Sequence, residues 1–536
     1  MAILLRVFWV AIITGPEEAA YRDPVVATRV VRGTVTDRNG RIIAIETPYH
    51  SCALLLREIA DLRETAKVIG SVLSIDPDRI IAGSAAYSTY YLVKRYLTDE
   101  EFERLGSLIG SKEMKGVVLE KRFGRTFPQH YHAAQSIGFT NTENRGLEGL
   151  ELTLDEYLSP YPEIGKDITY GHDVQLTMDM ELQYLLDTAV LAIDREHLPD
   201  SIVGIIMGAK TGEILAATSF PWYDPNNYQE SDPELRQNRI ITSMFEPGSV
   251  FKIFSLASEL AAGQADFSEP FFCDGTYEFI MPNGNRTVIN CVSPHGTVDR
   301  ETMLAYSCNG AVTHWALQTD DKAFRDILVA LGFGTNWESG MPGGISGVLK
   351  PVESWSGRTK ATISFGQELG VTALQLATAA TAIANGGDLM QPYIIRNVRS
   401  HDGTVVLYTE PTIARKSVIT REVASTVLAG MEKATMTGGT ATKVAVNGVR
   451  VAAKTGTAQM ADPVTGNYRS DAFLASTLAI VPADDPAYVI YIGVANPTGA
   501  TIWGSNIAAP AIGSIIADMV RQGKIRSSAV GTITVR

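Results

Sequence analysis

The sequence predicts a mixed α/β (α+β) chain: a large C-terminal domain with helices around a late antiparallel sheet, preceded by a separate N-terminal module. Three observations carry this reading. Residues 449–453, 472–482 and 488–495 are β-rich runs separated by turns, as in an antiparallel succession of strands. Apolar stretches with helical spacing lie around them, at 179–197, 249–262, 372–385 and 507–521. The composition is 45% hydrophobic and 20% charged, which excludes wholesale disorder.

The elements follow in chain order. Residues 2–13 read AILLRVFWVAII, apolar except for Arg6. A spanning helix needs about 20 apolar residues, so residues 1–15 read as a short or truncated membrane anchor, with a buried strand or helix as the alternative. Pro16 and Pro24 mark 16–28 as a linker. An N-terminal module follows over 29–165. In it Asn39-Gly40, between β-branched runs, signals a hairpin. Residues 53–73 and 98–110 have helical spacing, and 115–180 is mixed and turn-rich. Nothing in this module gathers a nucleophile, a base and an anion-binding group, so it reads as structural or docking.

The second domain is expected over 166–523. Val174–Met178 alternates like a strand, and a helix follows over 179–197. Two short strands, 201–207 and 213–218, are joined by the turn Ala209-Lys210-Thr211-Gly212. Asn385-Gly386-Gly387 ends the helix over 372–385. Residues 524–536 read as a loose polar tail. The 536 residues carry 46 Lys+Arg against 59 Asp+Glu, a net charge of −13, which argues against a dedicated nucleic-acid binder. Four Cys exclude a disulfide-dense scaffold, and eight His argue against a His-rich metal protein.

Three short motifs hold the chemistry. In Glu246-Pro247-Gly248-Ser249-Val250-Phe251-Lys252, a Pro-Gly turn places Ser249 at the start of an apolar helix, where the helix dipole is positive. Lys252 lies one turn on, on the same face. A serine hydroxyl needs an adjacent base, and a lysine supplies one when desolvation or nearby positive charge lowers its pKa. In Ser307-Cys308-Asn309, Ser307 can relay a proton and Asn309 can hold Lys252 and a substrate amide. In Lys454-Thr455-Gly456-Thr457, directly after the strand 449–453, Gly456 allows close backbone approach by substrate. Thr455 and Thr457 can bond a carboxylate beside the charge of Lys454. The N–H groups of Ser249 and Thr457 can form an oxyanion hole. Singly these motifs read as a helix cap, a polar turn and a strand-end turn. Together, as S-x-x-K, S-x-N and K-T-G separated by 58 and 147 residues, they form an ordered signature of active-site serine chemistry.

On these motifs the chain resembles the class B penicillin-binding proteins, monofunctional D,D-transpeptidases of peptidoglycan, whose penicillin-binding or serine β-lactamase-like domain stands on an elongated pedestal. Arg32–Arg41 resembles the family's opening hairpin, and Gly165–Gln183 the entry to its transpeptidase domain. Thr211–Ala216, Pro221–Asn226 and Asn238-Arg239 match the segment before the nucleophile. Trp355, Phe365–Glu368, Val371-Thr372 and Leu374-Gln375 match a stretch beside the cleft. Glu246-Pro247-Gly248, Phe127-Pro128, Gly138–Asn141 and Gly146–Glu151 resemble the septal, cell-division branch. Gly208, Ala453 and Cys308 depart from the family pattern, and Ala453 is expected to narrow the cleft edge slightly.

The resemblance implies that Ser249 attacks the penultimate D-Ala of a D-Ala-D-Ala stem peptide while Lys252 takes its proton. The leaving D-Ala is protonated through Ser307 and Lys454. Thr455, Gly456 and Thr457 bind the donor carboxylate, and an amine from a neighbouring strand resolves the acyl-enzyme. β-Lactams acylate the same serine, and no cofactor or metal is needed. Implied partners are peptidoglycan stem peptides, β-lactams, division-complex membrane proteins including a glycan polymerase, and the cytoplasmic membrane, through one N-terminal anchor with the catalytic domain outside. An elongation-type transpeptidase, a β-lactam sensor or β-lactamase-like protein, and a division scaffold with little catalysis stand as alternatives. Cys273 and Cys291 can pair in an oxidising compartment or remain two buried thiols, and Cys308 reads as a packing residue.

Overall fold

The computed structural model describes residues 29–112, 114–163, 165–462 and 467–527. The expected anchor and linker, and the last nine residues of the expected tail, lie outside the described residues. Among the described residues no helix is long and apolar enough to cross a membrane.

The C-terminal domain is built on a five-stranded antiparallel sheet. Its order is Ala452–Ala461, Tyr468–Val481, Tyr488–Ala495, Ser201–Gly208 and Ile214–Phe220. The period-two alternation of strands splits their side chains between two cores. Ile202 and Ile206 face the helices Met180–His197 and Ala508–Arg521, packing with Leu186, Val190, Ile512 and Ile516. Val203, Ile205 and Met207 face the opposite core, which contains the helices Lys252–Ala262 and Ala373–Ala384. Each fully buried Leu or Ile in these two cores contributes about 1.5–3 kcal/mol.

Local signals set the helix ends. Asp179 accepts from the Glu181 and Leu182 N–H groups at the start of Met180–His197. Thr372 and Gln375 form a reciprocal capping box, and Asn385-Gly386-Gly387 follows the helix they begin. The expected loose tail is corrected at its start. Lys524 pairs with Asp179 at 2.8 Å and Glu181 at 2.9 Å, and Ile525 is buried. The domain therefore runs past 523, because this segment covers the beginning of the 180–197 helix.

In the N-terminal module the expected hairpin forms, with Gly40 at φ +85° between Val35–Thr36 and Ile42–Leu55. The helical expectation over 53–73 is corrected. Strand continues to Leu55, and the helix is Leu62–Leu73, capped by Asp61. The turn-rich expectation over 115–180 also missed the strand Val117–Thr126, antiparallel to Ile42–Leu55. That strand reads VVLEKRFGRT and is only partly buried along most of its length, so it lacks the clean apolar alternation that marks a half-buried strand.

The two modules share one sheet. Asp173–Leu176 pairs parallel with Val35–Thr36 on one side and antiparallel with Ile395–Arg399 on the other. Asp37 reinforces the join by accepting from the Met180 N–H at 3.1 Å. Beneath the hairpin, Arg32 is buried against Glu151 at 2.7 Å and Asp155 at 2.5 Å, and Arg125 reaches Glu151 from the other side at 2.7 Å.

Candidate active site

Ser249 lies in a single 3₁₀ turn, Gly248–Phe251, that feeds directly into the helix Lys252–Ala262. Gly248 has φ +55°, and a Cβ there would come within 2.9 Å of Ala458 Cβ. The turn thus needs glycine both for its backbone and for its contact with the K-T-G strand. The stretch 365–368 abuts it from the other side, with the Gly248 N–H donating to the Gly366 carbonyl at 3.0 Å.

The first two motifs converge on one amine. Lys252 Nζ lies 2.9 Å from Ser249 Oγ, 2.6 Å from Asn309 Oδ1, 3.2 Å from Ser307 Oγ and 2.7 Å from the Ser307 carbonyl. Asn309 in turn donates through Nδ2 to the Asn290 carbonyl at 2.8 Å. Ser307 ends the helix Arg300–Tyr306 in the left-handed region, at φ +60°. A side chain held there costs about 1–2 kcal/mol, and the conformation lets the Ser307 hydroxyl and carbonyl both meet Lys252.

The third motif is placed differently from its expectation. The strand starts at Ala452 rather than Val449 and continues to Ala461, so Lys454-Thr455-Gly456-Thr457 lies inside it, paired with Leu478–Ala475. The polar run reads as a turn in sequence. It is strand because this is the edge of the sheet, where alternate side chains face the cleft. Lys454 Nζ donates to Ser307 Oγ at 2.9 Å, which places Ser307 between the two lysines. The space over Gly456 is filled by the protein itself. A Cβ would meet Val250 Cγ2 at 2.9 Å and the Pro247 carbonyl at 3.1 Å. Glycine here seats the 247–250 turn on the strand. Ala453 is buried in the core with the helices Met180–His197 and Ala508–Arg521, on the face away from Lys252, so the expected narrowing of the cleft does not occur.

Burial governs the electrostatics. Lys252 and Lys454 are fully buried. Desolvation lowers the Lys252 pKa to about 8, and desolvation together with the charge of Lys252 pushes Lys454 well below the ordinary lysine value. A neutral amine beside a serine hydroxyl is a general base in hydrogen-bond contact. The cleft over these groups has a volume of about 410 Å³ and brings Ser249, Ser307, Asn309, Thr455, Gly456 and Thr457 together. Tyr306, Thr440 and Trp503 also line it. These three were missed because an isolated aromatic or threonine carries no motif. Asn290, whose carbonyl holds Asn309, was missed for the same reason. The four cysteines are free thiols.

A Ser–Lys pair on a helix start, a second Ser–Asn pair and a Lys-Thr-Gly edge strand define a serine acyl-transfer site. The chain belongs to the penicillin-binding proteins, of class B: residues 202–517 match the Penicillin binding protein transpeptidase domain, and residues 27–168 match the Penicillin-binding Protein dimerisation domain. Among curated relatives, Stage V sporulation protein D of Bacillus subtilis is 28% identical, covering 91% of this chain and 77% of that protein. Peptidoglycan D,D-transpeptidase FtsI of Escherichia coli is 28% identical, over 99% and 91%. The probable peptidoglycan D,D-transpeptidase PbpC of Pseudomonas aeruginosa is 30% identical, over 92% and 86%. The fold matches penicillin binding protein 3 of Mycobacterium tuberculosis complexed with aztreonam, at TM-score 0.73 and 23% identity, over 95% of this chain and all of that one.

Proposed function

We propose that this peptidoglycan D,D-transpeptidase works through Ser249 as the acyl-carrying nucleophile, with Lys252 as its base. The observation that carries the assignment is the 2.9 Å contact between Lys252 Nζ and Ser249 Oγ in a site where Lys252 is fully buried. Ser249 Oγ attacks the carbonyl of the penultimate D-Ala, and its proton passes to Lys252. The N–H groups of Ser249 and Thr457 receive the oxyanion. The proton travels from Lys252 through Ser307 Oγ, with Lys454 on its far side, to the departing D-Ala amine. Thr455, Gly456 and Thr457 form the wall that takes the donor carboxylate, and that carboxylate favours the charged form of Lys454. An acceptor amine then attacks the acyl-enzyme and releases Ser249. β-Lactams enter the same cleft and leave a slowly released acyl group.

The septal, cell-division role rests on Glu246-Pro247-Gly248 and on residues 138–151. In this reading the chain is held on the cytoplasmic membrane by its N-terminus with the catalytic domain outside. The 29–165 module is a pedestal that docks division-complex proteins, including a glycan polymerase. A fluorescent penicillin labels the native protein, and Ser249→Ala abolishes the label. Undiminished labelling of that variant would remove Ser249 from the mechanism. A tagged copy concentrates at the division septum, and uniform side-wall placement would assign the elongation role instead.

A further inference from the structure

Cys273, Cys308 and the loop 291–295 that carries Cys291 and His295 are three separate stretches of chain, yet the four ligand atoms all lie within 4.8 Å of one another. Cys273 Sγ is 3.7 Å from Cys291 Sγ and 3.4 Å from His295 Nδ1, and Cys291 Sγ is 3.8 Å from Cys308 Sγ. A tetrahedral zinc ion with Zn–S bonds of about 2.3 Å and a Zn–N bond of about 2.0 Å sets its ligands about 3.5–3.8 Å apart. A Cys273–Cys291 disulfide would engage two of these groups and leave Cys308 and His295 unexplained. A metal engages all four.

We propose that these four side chains form a Cys₃His zinc site. Three thiolates and one imidazole in a tetrahedron favour zinc, and four protein ligands leave no open position, so the ion is structural. Binding displaces one proton from each of the three thiols, and neutral His295 donates its Nδ1 lone pair. The surroundings suit thiolates. The Gly310 N–H points at Cys291 Sγ and the Ala311 N–H at Cys308 Sγ, each at 3.4 Å. Cys308 also caps the helix Asn309–Gln318 at its positive end.

The fold gives the ion a task. Cys273 ends the strand Phe271–Cys273, which pairs with Gly296–Val298 next to His295. The hairpin Thr276–Ile280 and Arg286–Asn290 projects from this base and returns at Cys291. Cys308 stands between Ser307 and Asn309, and Cys291 follows Asn290, whose carbonyl holds Asn309. Zinc therefore staples the base of the hairpin to the backbone that aims Ser307 and Asn309 at Lys252. The four ligands are positioning residues.

The test reads metal and chemistry separately, because the metal assignment stands on the cluster alone and its effect on acylation rests on the Ser249 reading. The full chain, purified without chelator, is expected to carry about one zinc per molecule by elemental mass spectrometry. Cys291→Ser is expected to lose it. Metal-stripped wild-type protein titrated with Co²⁺ is expected to show thiolate-to-cobalt charge-transfer and intense tetrahedral d–d bands, which does not depend on any variant folding. Absence of bound zinc together with weak octahedral cobalt spectra would overturn the site, as would peptide maps showing Cys273 and Cys291 oxidised to each other in zinc-free native protein. Stripping zinc is expected to slow penicillin labelling about tenfold or more, with recovery on re-addition. Equal labelling with and without zinc would overturn the positioning role. Persistent labelling of Ser249→Ala at unchanged zinc content would overturn the Ser249 reading and leave the metal site standing.

Discussion

Tyr468 donates its hydroxyl to both carboxylate oxygens of Glu246, at 3.0 and 2.9 Å. The Glu368 N–H reaches the same carboxylate at 2.9 Å. Glu246 thus joins the nucleophile turn to the 365–368 stretch and to the second strand of the sheet. Burial raises its pKa, and the Tyr468 bond works against that rise.

Tyr468→Phe removes one donor and leaves the ring in place. The expected cost is about 1 kcal/mol of stability, read from the shift in a denaturant midpoint. Acylation by a fluorescent penicillin is expected to slow as the turn loosens against Gly366. An unchanged midpoint and an unchanged rate would show that Glu246 is held adequately by Glu368 alone.

Lys252 must be neutral to accept the Ser249 proton, and desolvation brings its pKa to about 8. The neutral fraction of an amine rises with pH. The acylation rate is therefore expected to climb through neutrality and level off above about pH 8. A rate that falls over that range would mean the charged form is the active one. Lys252→Ala is expected to slow acylation by about 100-fold or more.

Gly456→Ala tests the reason for that glycine. The added methyl would press on Val250 Cγ2, Ser476 Oγ and the Pro247 carbonyl. Overpacking of this kind costs about 1–3 kcal/mol, and it pushes the nucleophile turn away from the strand. Loss of acylation in a folded variant, by circular dichroism and labelling together, is the expected result. If substrate clearance were the only role, the thermal midpoint would not move.

Glu259 is fully buried on the nucleophile helix, and neither carboxyl oxygen has a hydrogen-bond partner among the described residues. Burial raises its pKa well above 4.5. An acid held neutral in the fold loses stability relative to an uncharged residue as pH rises above its unfolded value toward its folded one. Glu259→Met is therefore expected to stabilise the protein, by more at about pH 8 than at about pH 5. Denaturant unfolding at the two pH values checks both the sign and the trend.

Arg32→Ala would remove one of the two guanidinium partners of buried Glu151. Breaking a buried pair costs about 3–5 kcal/mol. Because Arg125 remains, the lower end is expected, as early unfolding of the N-terminal module in limited proteolysis. Simultaneous loss of both modules would show that they unfold as one unit.

The site was legible in sequence because its groups sit in short, ordered motifs: Ser249 and Lys252 one helical turn apart, Ser307 and Asn309 flanking one residue, Lys454 to Thr457 contiguous. What sequence concealed depends on distant chain. The K-T-G residues read as a turn because edge-strand polarity and turn polarity look alike. The strand Val117–Thr126 was hidden by charges that a partly exposed strand tolerates. Cys308 read as packing because its neighbours in space, Cys291 and His295, are 17 and 13 positions away in sequence. The main architecture was readable because Ser201–Gly208 and Tyr488–Ala495 are nearly all apolar, as central strands buried on both faces must be.

The sheet that crosses the two modules also governs how the protein can be cut. A fragment beginning near residue 166 would keep Asp173–Leu176 but lose its parallel neighbour Val35–Thr36. It would also lose the Asp37 carboxylate that receives the Met180 N–H. The strand would become a bare rim, free to recruit another copy of itself. A fragment for drug screening is better begun ahead of Arg29, so that the hairpin stays on as the seam that closes the enzyme.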